Sequence, residues 1–313
     1  MALFLDDGQV ADLLDMDACI AALEQAFRDK AEGHGPNLPR RRLPFQGKRF
    51  MMMAGSLPRR GYLASKSYGV GKGQDTVLYK AGEGLVAIIR SSRLGQVRTG
   101  AASAVATKVM ARRDASRLGC IGTGHQAETQ ILAVSRVRKL SSVHVYGRDA
   151  AKRKAFAERM SGLLGLEVRP AETPAEAVKG RDIVVTMTNS AHPVFDGALI
   201  DPGTHINAAG ANTRTHRELD ETSVTRAGLI ATDDVEGAKL ECGDLDWPVQ
   251  RGLMSWDKVV DLSHIVAGWL PGRRSEEEIT LFESQGIGIE DAAAGALVYE
   301  RALERGIGTK LPF

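Results

Sequence analysis

The chain predicts an α/β protein of two parts: a Rossmann-type doubly wound parallel sheet, and a second α/β domain with a mainly antiparallel sheet. Three observations carry that prediction. From Arg117 onward short apolar runs alternate with helical patterns, the order that a parallel sheet with right-handed crossovers requires. One of those runs, Leu118–Ile121, leads into Gly122-Thr123-Gly124-His125-Gln126-Ala127, and a helical pattern follows. Upstream, residues 40–90 hold short β runs divided by glycines, which suit hairpins.

The elements follow in order. Residues 9–32 place Val10, Leu13, Leu14, Ile20, Leu23 and Phe27 at helical spacing, and Pro36 and Pro39 close that helix. The β runs are Arg49–Met53, Tyr62–Val70, Thr76–Tyr79 and Leu85–Ile89, with Ala81–Gly84 as a turn. Thr99–Ala111 is small and alanine-rich, and reads as a helix leading into the second domain. Strands are expected at Leu118–Ile121, Ser142–Tyr146, Glu167–Arg169, Asp182–Thr186, Thr204–Ala208 and Leu229–Asp233, with helices over 125–139, 149–164 and 174–179. An amphipathic helix over Ile289–Arg305 ends the pattern.

At 313 residues the chain can build two cores. A net charge of +2 is too small to argue for nucleic acid or an anionic membrane surface. No run approaches the roughly eighteen apolar residues of a membrane span. Cys19, Cys120 and Cys242 are scattered and odd in number, and Met1–Asp7 lacks the basic and apolar regions of a signal peptide. Both suit a reducing cytoplasm. The seven histidines show no metal-ligand spacing, so no metal is expected.

The glycine turn carries the chemistry. A strand that ends there aims a helix N-terminus, with its free N–H groups and positive dipole end, at whatever lies above. Gly122 permits the tight turn, Gly124 the close approach of a pyrophosphate, and Ala127 close helix–strand packing. A nicotinamide or flavin dinucleotide is therefore the leading ligand. The tip of the next strand should separate NAD from NADP, because a carboxylate there binds a ribose hydroxyl and repels a 2′-phosphate. Here the tip is Gly147-Arg148, with no acid before Asp149 and with Lys152 and Arg153 beyond. Guanidinium favours phosphate, which leans the choice to NADP(H) over NAD. The competing reading makes these cations a solvated helix turn and Asp149 its N-cap. Thr99 and Thr188 could meet phosphate or ribose, or simply cap local backbone.

Arg98-Thr99-Gly100-Ala101-Ala102-Ser103-Ala104, followed by Leu118–Ala127, resembles the ornithine cyclodeaminase/mu-crystallin family. Asn207–Gly210, Arg217–Asp220, Cys242–Leu245, Pro271–Arg273, Glu278–Phe282 and Gly286–Asp291 continue the resemblance in family order. The resemblance implies a substrate-binding and homodimerising domain over 1–112, completed by a C-terminal helix over 292–313, and a dinucleotide-binding domain over 113–291. It implies substrate in the cleft between them. Lys66 matches the family's active-site lysine, and Arg98 the arginine that grips the substrate carboxylate. A second arginine from the first strand fits Arg42 or Arg40. Gly288 and Asp291 fit the region that closes over the nicotinamide, although Asp291 could equally cap the last helix. The histidines have structural or surface roles, His125 included, although it also falls within the expected cofactor-binding turn.

The residue chemistry agrees. A planar arginine fork holds a carboxylate bidentately and fixes its plane, and a lysine nearby adds a contact or donates a proton. Arg98, read as sitting at a helix N-terminus, would be badly placed there without an anion. Family cyclodeaminases carry a proton-shuttling aspartate just after their Ala-x-Gly motif, where this chain has Asn212. They also carry an acid on an early strand for the δ-amine, where this chain has the apolar stretch Phe50–Ala54. An amide cannot serve as a general acid or base near neutral pH. The expectation is an NAD(P)(H)-dependent reductase of a small 2-imino acid, or the matching amino-acid dehydrogenase. Ornithine cyclodeaminase is the alternative, and a non-catalytic NADP(H)-binding protein a further one.

Overall fold

The structure is a computed structural model that describes residues 2–71 and 73–312. The chain divides into two units, Met1–Ala102 with Gly286–Phe313, and Ser103–Gln285. The divisions expected at 112 and 291 lie further along the chain. The terminal residue of the expected 292–313 segment lies outside the described residues.

The first unit opens with β1 (Leu3–Leu5) and the short helix α1 (Asp7–Leu13), whose Asp6 and Gln9 form a capping box. The single helix expected over 9–32 is broken at Leu14. Asp15 stands extended there and caps a second helix, α2 (Met16–Ala31), by accepting from Ala18 N–H. Five strands then run up and down: β2 (Asn37–Phe45), β3 (Lys48–Leu57), β4 (Tyr62–Tyr68), β5 (Gln74–Lys80) and β6 (Gly84–Arg90). β2 is the first strand expected to carry Arg40 and Arg42; it holds Pro39 and Pro44 and is an edge strand, where missing N–H groups are tolerated.

The helix expected over 99–111 begins earlier, as α3 (Ser92–Met110), and carries the chain into the second unit. There β7 (Arg117–Ile121), α4 (His125–Val137), β8 (Ser142–Tyr146), α5 (Ala150–Leu164), β9 (Val168–Pro170), α6 (Pro174–Val178), β10 (Ile183–Thr186) and β11 (His205–Ala208) alternate nearly as predicted. α7 (Glu221–Arg226), β12 (Leu229–Thr232), α8 (Val235–Glu241), α9 (Gly243–Gln250), β13 (Val259–Asp261), α10 (Leu262–Val266) and β14 (Thr280–Glu283) follow. The chain re-enters the first unit through α11 (Gly288–Arg305) and ends at β15 (Thr309–Lys310).

The second unit's eight strands are parallel throughout, in the order β13-β12-β14-β11-β10-β7-β8-β9. The order reverses at β7, so a crevice opens beside its carboxyl end, where open α/β sheets take ligands. Two apolar cores cover the sheet's faces, one around Val184, Ile206 and Leu281 and one around Leu118, Val145 and Phe156. The first unit's sheet has the order β15-β1-β6-β5-β4-β3-β2. It is antiparallel except where β1 runs parallel to β6. Helix α11 covers β3, β4 and β5, and its twelve buried residues explain its alanine-rich face.

Candidate active site

In the first unit, one row of side chains faces α11. Cross-strand register sets Met53 beside Lys66 and Lys66 beside Thr76. β3 and α11 meet with backbone in contact: a Cβ on Gly55 would lie 2.2 Å from Ile289 N, and one on Gly288 would lie 2.1 Å from the Ala54 carbonyl carbon. Only glycine at both places lets the head of α11 come so close to the sheet. The Gly288 N–H donates to Asn37 Oδ1 at 2.8 Å. Gly288, expected near the nicotinamide, is therefore taken up by this packing.

The close approach brings five buried charges together. Lys66 Nζ lies 3.2 Å from Asp291 Oδ1. Arg98 reaches Glu290 Oε2 at 2.8 Å through Nη1 and Asp291 Oδ1 at 3.2 Å through Nε. Arg40 donates to the Gly286 carbonyl at 3.1 Å and touches Met53 Sδ at 3.7 Å. All five are under a tenth exposed. Arg98 does not sit at a helix N-terminus as expected. It lies inside α3, and the anions it needs come from the first turn of α11. Arg40 is buried, whereas Arg42 is half-buried further along β2 and Arg41 between them is exposed. Thr99 donates from Oγ1 to the Gly95 carbonyl at 2.7 Å, within α3.

Among the described residues, Lys66, Arg98 and Arg40 lie around Glu290 and Asp291. Burial is the main force on Lys66, and with help from Arg98 and Arg40 it pushes the ammonium down to about 8, although Asp291 pulls the other way. Burial also opposes the charge of Asp291, but Lys66, Arg98 and Arg40 outweigh it and hold the carboxyl below the usual range.

In the second unit, Gly122 has φ +124° and a Cβ there would strike Met187 O at 2.2 Å. The turn therefore requires glycine. Gly124 stands at the N-cap of α4, and a Cβ on it would meet nothing within 4 Å. Open space over a helix N-terminus, with its free N–H groups, is suited to an anion. Thr123 is half-buried, with its hydroxyl 2.5 Å from where a Gly147 Cβ would lie; His125 is exposed, Gln126 half-buried, and Ala127 buried against the sheet.

At the β8 tip, Asp149 caps α5 by accepting from Lys152 N–H. Arg153 is buried, donating to the Gly147 carbonyl and pairing with Glu172 at 2.6 Å. Arg148 is exposed. So the cap reading holds for Asp149, and Arg153 is committed to structure. At the neighbouring strand ends, Thr188 is half-buried after β10, and Asn212 is exposed after β11.

The sequence reading missed Glu290. Acids in a first helical turn ordinarily complement the dipole, which makes such a residue unremarkable in sequence. The signal was its context, since Ala292, Ala293, Ala294 and Ala296 beside it are all buried. No candidate metal cluster occurs among the described residues.

The glycine turn of the second unit and the buried charged cluster of the first are thus the two candidate places for chemistry, each within its own unit. The ornithine cyclodeaminase/mu-crystallin family model matches residues 2–306. The chain is 38% identical to a Δ1-pyrroline-2-carboxylate reductase of Bacillus cereus over 236 residues, 75% of this chain and 72% of that one. A solved Δ1-pyrroline-2-carboxylate reductase of Thermococcus litoralis, in complex with NADH and L-proline, superposes with TM-score 0.95 at 34% identity over 99% of this chain and 100% of that one. An archaeal alanine dehydrogenase dimer with bound NAD gives TM-score 0.93 at 31% identity, over 100% and 99%. This chain belongs to the ornithine cyclodeaminase/mu-crystallin family and is an oxidoreductase of it.

Proposed function

We propose that the protein reduces a small 2-imino acid to the amino acid, or runs the reverse oxidation, with a nicotinamide dinucleotide. The observation that carries this reading is the buried cluster that Arg40, Lys66 and Arg98 form with Glu290 and Asp291. Arg98 and Arg40 hold the substrate carboxylate, and Lys66 adds a charge or moves a proton at its nitrogen. Arg42, only half-buried, is the lesser candidate. The first unit is then the substrate domain and the second the dinucleotide domain.

The turn of Gly122, Thr123, Gly124, His125, Gln126 and Ala127 would hold the pyrophosphate, and Gly147 and Arg148 the adenosine side. Thr188 would lie towards the nicotinamide. The bound nicotinamide would supply or accept the hydride. The solved relatives are complexes with NADH or NAD. Exposed Arg148, with no acid at the β8 tip, favours NADP(H).

Two features favour imine reduction over ornithine cyclisation. Asn212 cannot shuttle a proton. Met53, buried beside Arg40 and Lys66, supplies no anion for a δ-amine. The substrate therefore carries a short or apolar side chain.

We also propose a homodimer. Leu38, Leu43, Met52, Leu63 and Tyr79 are exposed on the sheet face opposite Lys66, and a second copy covering them would remove that apolar surface from water. The three buried, unpaired cysteines suit a cytoplasmic setting. Among the described residues, no helix is long and apolar enough to cross a membrane.

The test is turnover of NADH and NADPH with cyclic imino acids, with pyruvate plus ammonia, and of the oxidised forms with ornithine. Reduction of imino acids is expected. Conversion of ornithine to proline well above the reductive rates would overturn the reading.

A further inference from the structure

The second unit buries a carboxylate that the proposed chemistry does not use. Glu218 is fully buried, yet it sits between the turns that follow two central strands. Its Oε1 accepts from Thr188 N–H at 2.5 Å, beyond the end of β10. Its Oε2 accepts from Gly210 N–H at 2.7 Å, beyond the end of β11, and from Thr186 Oγ1 at 3.0 Å. The two turns have little other freedom. A Cβ on Gly210 would lie 2.3 Å from Thr188 O, and Ala209 N–H donates to Thr186 O at 3.0 Å. The β10 turn also abuts the Gly122 turn, since Met187 N–H donates to Ile121 O and a Cβ on Gly122 would lie 2.2 Å from Met187 O.

Glu218 is itself held from behind. Asp244 Oδ1 accepts from Glu218 N–H at 2.7 Å and from Leu219 N–H at 2.6 Å. One carboxylate thus joins three neighbouring crests of the sheet: the Gly122 turn through Met187, the Thr188 turn, and the Gly210 turn that leads to Asn212.

These crests lie on one side of β7. A dinucleotide spans both sides of such a switch point, with the adenosine half towards β8 and the nicotinamide half towards β10 and β11. We infer that Glu218 is a positioning residue for the nicotinamide half of the dinucleotide, acting through the backbone of Thr188 and Gly210. This rests on the dinucleotide reading above. Glu218 touches no reacting atom. It fixes the floor on which the ring lies, so its loss should weaken the nicotinamide half and spare the adenosine half.

Glu218→Gln is the sharp variant. The amide keeps the shape but offers one acceptor oxygen and presents an NH2 group to a backbone N–H. Binding of NADH and of ADP-ribose, which lacks the nicotinamide ring, is measured by calorimetry on the full chain. The expected result is NADH binding weaker by about tenfold to a hundredfold, the range for bonds to a charged group, with ADP-ribose binding within about twofold of the parent. Equal losses for both ligands, or no loss for either, would overturn the inference.

If Glu218→Gln does not fold, Thr186→Val and Thr186→Ser carry the test. Valine deletes one of the three bonds, and serine keeps it. Selective loss of NADH affinity in the valine variant, restored in the serine variant, supports the positioning role. Matching affinities in the two variants overturn it. A parent protein that binds neither ligand would instead refute the dinucleotide reading itself.

Discussion

Lys66 makes the electrostatic account testable by pH. Its ammonium titrates near 8 because burial, first, and then Arg98 and Arg40 disfavour its charge. Only the protonated form completes the cationic cluster, so kcat/KM should fall tenfold per pH unit above about 8, reaching about thirtyfold near pH 9.5. Asp291, 3.2 Å away, is the main group holding that proton on. Asp291→Asn should therefore move the alkaline limb down by about one pH unit or more, the usual effect of a charge at this range. Lys66→Arg stays charged throughout and should erase the limb. The assay is kcat/KM for the imino acid between pH 6 and pH 10, with saturating dinucleotide. A limb that stays in place in both variants would show that another group titrates and would refute the argument. Folding is linked with a definite sign. Lys66 loses its proton near 8 in the folded state and near the ordinary 10.5 when unfolded. Between those values the unfolded chain binds more protons, so this group makes stability rise with pH across the window, by roughly 3 kcal/mol in all.

The other predictions are simpler. Arg98→Ala leaves Glu290 and Asp291 buried without their arginine and should lower stability by about 3–5 kcal/mol, read by urea unfolding. Its KM for the substrate should also rise, with NADH affinity retained; equal loss of NADH affinity would remove Arg98 from its assigned role. Gly122→Ala, forced against Met187 O at a positive φ, should abolish dinucleotide binding in a chain that still folds, checked by calorimetry and circular dichroism. Arg148→Asp should shift preference from NADPH towards NADH, and an unchanged ratio of kcat/KM values would leave cofactor choice to other residues.

The strand–turn–helix around Gly122 was legible because local sequence dictates it. A glycine that must take positive φ and a helix with a buried stripe both announce themselves. Arg40 was not separable from Arg42, because β2 is irregular between Leu38 and Arg41 and holds two prolines. Only the folded register shows which arginine is buried. Arg98 was placed at a helix start because Ser92–Val97 lacks a strong helical pattern. Tertiary packing of α3 overrides that local weakness. β1 and β14 escaped notice for a related reason. They are three and four residues long, and partners distant in sequence make them strands. Asp291 was placed near the nicotinamide or at a helix cap, and Glu290 and Glu218 were given no role, since burial of a charge depends on counter-charges and donors that no local window contains.

The central claim is that this protein passes hydride between a nicotinamide and the carbon bearing the substrate carboxylate. The most direct measurement uses NADH deuterated in its transferable position, a cyclic imino acid, and mass spectrometry of the product. The account predicts one deuterium on the carbon next to the carboxylate, lost in step when Arg98 is replaced by alanine. An unlabelled amino acid, or label retained in the dinucleotide while product accumulates, would contradict it.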